Sequence, residues 1–124
     1  MPYHVLIVED SEASRELLAD LVETAAEGVT AIRASGGFEA LKLLPRHRFD
    51  LVVTDLEMPD INGFELINFV KRSPHYGHTP LFIVTGTDRA SDRARGLAIG
   101  ASEFLLKPVD APAFVGLVRR YLGL

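Results

Sequence analysis

The sequence predicts a doubly wound α/β domain on a five-stranded parallel sheet, and two observations carry that expectation. Five short, mostly apolar runs read as strands buried on both faces: YHVLIV (3–8), VTAIRA (29–34), DLVVT (50–54), PLFIVT (80–85) and SEFLLK (102–107). A segment with helical apolar spacing follows each run. Five such βα units imply right-handed crossovers and helices on both faces of the sheet. The common strand order for this number of units is 2-1-3-4-5, as in flavodoxin-like folds. A chain of 124 residues suits one domain, 1–124, with no output domain visible.

The elements follow in order. The first strand runs into Glu9 and Asp10, and Ser11 can cap the helix behind it. Leu17, Leu18, Leu21, Val22 and Ala25 form that helix's expected inward stripe. The second strand ends in Ala34 and Ser35 without a charge. The segment SGGFEALKLLP (35–45) predicts a shorter helix with Ala40, Leu41 and Leu44 inward, stopped near Pro45. The third strand, Leu51 to Thr54, stops at Asp55. GFELINFVKRSP (63–74) buries Leu66, Ile67 and Val70. The fourth strand ends in Thr85. DRASDRARGLAIG (88–100) has weak helix propensity, with Gly96 inside and Gly100 behind it. The fifth strand ends in Lys107 and Pro108. Asp110 caps a last helix that sets Phe114, Leu117, Val118, Tyr121 and Leu122 on one side.

Composition removes several classes. With 48% apolar residues the chain is not a disordered tail. It has no cysteine, which excludes a disulfide framework or a Cys-based zinc site and fits a reducing, cytoplasmic setting. A net charge of −4 gives no footprint for direct nucleic-acid binding. No apolar run approaches the ~20 residues that span a bilayer. The start MPYHVLIVED has no basic segment before its apolar run, so it is not a signal peptide. It also places Met1 two residues before the first strand, which suits a stand-alone regulator or an N-terminal receiver cut from a larger regulator or hybrid kinase.

The polar residues fall in a pattern. Ligands of open α/β sheets bind beyond the carboxyl ends of the strands, where the strand order reverses. Here that edge receives Glu9, Asp10, Asp55, Thr85 and Lys107. Each has an ordinary explanation by itself: an acid caps the next helix, a threonine favours strands, a lysine is solvated. Asp55 resists this, because no helix begins at the next residue. Their joint convergence is not predicted by capping or solubility. Three clustered carboxylates need a cation, and all-oxygen donors suit Mg²⁺. A carboxylate is also a competent nucleophile toward phosphorus. Lys107 and Thr85 would then pair with phosphoryl oxygens, and Gly86 leaves room beside them.

The motifs IVED (7–10), DLEMPDING (55–63), PLFIVTG (80–86) and GASEFLLKPVD (100–110) resemble those of the receiver domain of two-component response regulators, over essentially the whole chain. The resemblance implies that Asp55 is the phosphoacceptor. It implies Mg²⁺ held by Asp10 and Asp55, with Glu9 acting mainly through water and Glu57 through its backbone carbonyl. Thr85 and Lys107 take the place of the phosphate-sensing pair, and Phe104 that of the switch aromatic, which in this family often moves inward. The Lys107–Pro108 bond corresponds to the family's cis peptide. Glu57 and Thr87 lie at positions that tune the phosphoryl lifetime. Asn62 stands where Asp is common. The implied partners are a histidine kinase or histidine phosphotransfer protein upstream and an unnamed protein downstream, with a monomer or a phosphorylation-linked homodimer. The domain assists its own phosphorylation and dephosphorylation and is not a turnover enzyme. Switching would bias the surface of the fourth helix, fifth strand and fifth helix.

Two other classes share part of the pattern. An FMN carrier of similar strand order needs a Ser-, Thr- and Gly-rich loop after the first strand, and EDSEAS would repel phosphate there. An aspartyl-phosphate phosphatase needs an acid two residues after its nucleophile. Glu57 has that spacing, but the rest of the motif and a cap domain are missing.

Overall fold

The computed structural model describes residues 2–124. The strands are β1 (Tyr3–Val8), β2 (Val29–Ala34), β3 (Leu51–Thr54), β4 (Leu81–Thr85) and β5 (Glu103–Leu106). The helices are α1 (Glu12–Glu23), α2 (Gly37–Leu43), α3 (Gly63–Arg72), α4 (Ala90–Ala98) and α5 (Ala111–Leu122), with a 3₁₀ turn at Leu44–Arg46. The five strands form one sheet in the order β2-β1-β3-β4-β5, with every pairing parallel. The expected fold class and strand order hold.

Side chains alternate across the sheet, so each strand feeds two cores. Val5, Ile7, Val53, Phe82 and Val84 pack against Leu18 and Val22 of α1 and Phe114 and Val118 of α5. Leu6, Val8, Val52, Leu81 and Ile83 pack on the other face with Ala40, Leu66, Ile67 and Val70. Phe82 meets Phe114 edge-on at 6.3 Å and Tyr121 at 5.1 Å, a favoured aromatic geometry. No described helix is long and apolar enough to cross a membrane.

Caps behave as expected at Ser11 and Asp110, whose side chains accept from Ser14 N and Ala113 N. One detail differs from the sequence reading. Leu17 is 52% exposed, so it lies outside the inward stripe of α1. The buried stripe of α1 is Leu18, Ala19 and Val22, with Ala25 buried just beyond its end. Helix α2 has only seven residues, and Pro45 sits in the 3₁₀ turn that ends it. Gly96, a weakness of α4 by propensity, is buried against β4. A Cβ there would come within 2.5 Å of Ile83 Cδ1, so the glycine permits close helix–sheet packing.

Candidate functional site

Backbone bonds extend the sheet one residue past the strands. Glu9 N donates to Ala34 O at 3.0 Å, Asp55 N to Val8 O at 3.1 Å and Lys107 N to Thr85 O at 2.8 Å. The three side chains therefore leave one edge from rigid neighbouring stalks. Glu9, Asp55 and Thr85 are buried, at 1%, 7% and 0% exposure, while Asp10 is exposed at the mouth.

The carboxylates of Glu9, Asp10 and Asp55 each place an oxygen within 4.8 Å of the others. Lys107 Nζ donates to Asp55 Oδ2 at 2.8 Å and to Glu9 Oε1, bridging the two buried acids. Asp55 Oδ1 accepts from Leu56 N at 2.6 Å and Glu57 N at 3.1 Å. Glu9 Oε2 accepts from Ser11 N at 2.9 Å, and Arg15 Nη1 donates to the Glu9 carbonyl at 3.1 Å. Burial alone would lower the Lys107 pKa. The hydrogen bonds and negative charges of Asp55 and Glu9 outweigh it and hold the ammonium above its ordinary value. One ammonium against three carboxylates leaves an excess of negative charge. Hard oxygen donors with excess negative charge fit a divalent cation such as Mg²⁺.

Thr85 ends β4 with its hydroxyl 3.4 Å from that of Thr87. Glu57 is exposed and borders a shallow hollow with Asp10 and Met58. The Lys107–Pro108 peptide is cis. Phe104 is already inward in this structure, at 5% exposure, with the Arg93 guanidinium 4.7 Å from its ring centroid. Arg95 lies 4.2 Å over Phe64. Arg93 and Arg95, the two arginines of α4, thus each cover an aromatic ring.

Several supporting contacts escape a sequence reading. Asn62 caps α3 by accepting from Phe64 N at 2.8 Å. Asp60, in the loop after Asp55, caps α2 from a distance by accepting from Gly37 N at 3.1 Å and Phe38 N at 2.9 Å. The Phe38 bond is the main reason its carboxyl titrates below the usual range. Local spacing gives no signal for a cap 22 residues away.

Gly63 also supports the site. A Cβ there would lie 2.5 Å from Leu56 Cα and 2.7 Å from Asp55 O, both backbone atoms that cannot swing aside. Gly63→Ala is expected to lower stability by about 1–3 kcal/mol, the usual cost of overpacking, with the midpoint of a urea titration as the check.

A family model described as response regulator receiver domain matches residues 5–119. Over 123 residues the chain is 36% identical to the polar-differentiation response regulator DivK of Brucella anthropi, covering 99% of this chain and 98% of that protein. Among solved structures it is similar to the chemotaxis response regulator CheY4 of Vibrio cholerae, with 29% identity, a TM-score of 0.87 and coverage of 98% and 99%. It is also similar to the signal receiver domain of a signal transduction histidine kinase from Syntrophus aciditrophicus, with 30% identity, a TM-score of 0.86 and coverage of 98% and 90%.

Proposed function

The chain belongs to the response regulator receiver family, phosphoacceptors of two-component signalling, and from that premise we propose that Asp55 is its phosphoacceptor. The supporting observation is the convergence of three carboxylates and one ammonium at the tips of β1, β3 and β5. Asp55 Oδ1 is held by two backbone N–H groups, whereas the partner of Oδ2 is a movable ammonium. Oδ2 attacks the phosphorus of a phosphohistidine. The O–P bond forms as the N–P bond breaks, and the leaving imidazole keeps the electron pair and takes up a proton. Asp10 and Asp55 would hold Mg²⁺, with Glu9 acting through water and the Glu57 carbonyl completing the set. When bound, the ion neutralises carboxylate and phosphoryl oxygens. Lys107 then pairs with a phosphoryl oxygen, and Thr85 donates its hydroxyl to another. Phe104 starts inward, so the change reaches α4, β5 and α5 through Thr85 and the Arg93–Phe104 stack. Glu57 and Thr87 set how readily water reaches the acyl phosphate.

The phosphodonor is a histidine kinase or phosphotransfer protein in the cytoplasm, and the domain, 1–124, acts through protein contacts rather than by turnover. An apolar hollow bordered by Leu17, Leu18, Pro108 and Val109 adjoins Lys107 and supports docking at that side. Leu17→Asp is expected to slow transfer from a phosphohistidine protein about tenfold, as loss of one interface anchor does. Uptake from acetyl phosphate, which needs no docking, stays unchanged.

The reading itself is tested with Mg²⁺ and beryllofluoride, a phosphoryl mimic, followed by amide NMR. Shifts at Asp55, Thr85, Phe104 and Lys107 that vanish in Asp55→Asn are expected. An unchanged spectrum with both reagents present contradicts it.

A further inference from the structure

A cavity of about 400 Å³ opens away from the carboxylate site, between the end of α2 with its 3₁₀ turn and the end of α3 with its following loop. Its lining is mostly apolar, with Leu41, Leu44, Phe49, Phe69 and Tyr76. The floor is built rather than accidental. The Phe49 ring lies 5.4 Å from His47 and 6.3 Å from Tyr76. The Tyr76 hydroxyl reaches the Leu44 carbonyl at 2.6 Å and also faces that of His47, tying one wall to the other. On the rim, Phe69 is 52% exposed.

Charge around this cavity runs against that of the chain. The two wall segments, residues 41–49 and 69–78, hold five of the thirteen Lys and Arg residues, three of the four His, and none of the seventeen acids. Lys71 turns to the Thr79 carbonyl. Lys42, Arg46, Arg48 and Arg72 are exposed, and none forms an ion pair among the described residues. Glu65 borders only the adjoining hollow beyond Phe69. No function assigned above uses this face.

We infer that the α2–α3 face is a docking surface for an acidic protein segment that inserts one large apolar side chain into the cavity. The size is in the range of pockets that enclose a ligand group, and the apolar lining favours a hydrocarbon anchor over a phosphate. The unpaired cations around it select carboxylates flanking that anchor and speed encounter. Because the tyrosine and the neighbouring tilted rings fix the cavity beforehand, little ordering cost falls on binding.

The test selects a random peptide display library on the wild-type chain and counter-selects on Phe69→Asp/Arg48→Glu, a pair of exposed positions outside the phosphorylation machinery. Both proteins are first matched for far-UV circular dichroism and for uptake of phosphoryl groups from acetyl phosphate. Enriched peptides are expected to be acidic with an aromatic or leucine anchor. Each should shift amide resonances at residues 41–49 and 69–76 and lose about tenfold in affinity on either single variant. Failure to enrich over the double variant, or enrichment of neutral or basic peptides, overturns the inference. So does saturable binding of ATP or duplex DNA at this face in place of peptide, or self-association of the wild type that the double variant abolishes.

Discussion

Asp55→Asn is expected to abolish phosphoryl uptake from every donor while leaving the fold intact. An amide oxygen still accepts the Leu56 and Glu57 N–H bonds that hold Oδ1, so the loop after β3 keeps its shape. The amide is not a nucleophile toward phosphorus at neutral pH, so no covalent intermediate forms. The electrostatics favour the variant in the absence of a divalent cation. Three carboxylates face one ammonium here, and removing one acid relieves repulsion among the rest. Its stability in metal-free buffer is therefore expected to equal or exceed that of the wild type by up to ~1 kcal/mol. Intact mass after incubation with acetyl phosphate and a urea titration in EDTA check the two halves. An Asp55→Asn variant that unfolds would show that the carboxylate is structural.

Lys107→Met is expected to act in the opposite direction on stability. The lysine bridges Glu9 and Asp55, both nearly buried, and its removal leaves those acids facing each other uncompensated. Breaking a buried pair costs about 3–5 kcal/mol. Lys107 keeps 26% side-chain exposure, so water screens part of that, and a loss of about 2 kcal/mol is expected. Millimolar Mg²⁺ should recover much of the loss, because a cation that binds only the folded state stabilises it by mass action. The raised lysine pKa also has a signature. The bridge is complete below the ordinary lysine range and fades as pH climbs through the higher folded value, so the wild type loses stability on that alkaline limb and the variant lacks that component. Thermal unfolding with and without Mg²⁺ measures both effects. A variant as stable as the wild type in EDTA would contradict the bridge.

The site is legible in the sequence because its residues are strand ends. Once five strands and their order are read, Glu9, Asp55, Thr85 and Lys107 must share one edge, and Asp55 stands out because no helix starts beside it. The structure brings these residues together. What stays hidden depends on distance along the chain. Asp60 reaches back to the amides of Gly37 and Phe38, and Tyr76 to the carbonyl of Leu44. Neither bond leaves a mark in local periodicity. Helical spacing likewise does not reveal that Phe104 and Phe64 lie beneath Arg93 and Arg95. Leu17 reads as inward on α1 for a related reason: apolar character places a residue near the stripe, and only the width of the sheet decides where the stripe ends.

The Asp55 carboxylate is expected to take the phosphoryl group in a cation-dependent reaction. Borohydride reduction of the acetyl phosphate-treated protein, followed by peptide mass mapping, tests it most directly, because reduction marks only the residue that carries an acyl phosphate. A single reduced position, Asp55, is expected, appearing with Mg²⁺ and disappearing with EDTA. Labelling at Glu9, Asp10 or Glu57 in its place, or labelling of Asp55 that ignores the cation, would contradict it.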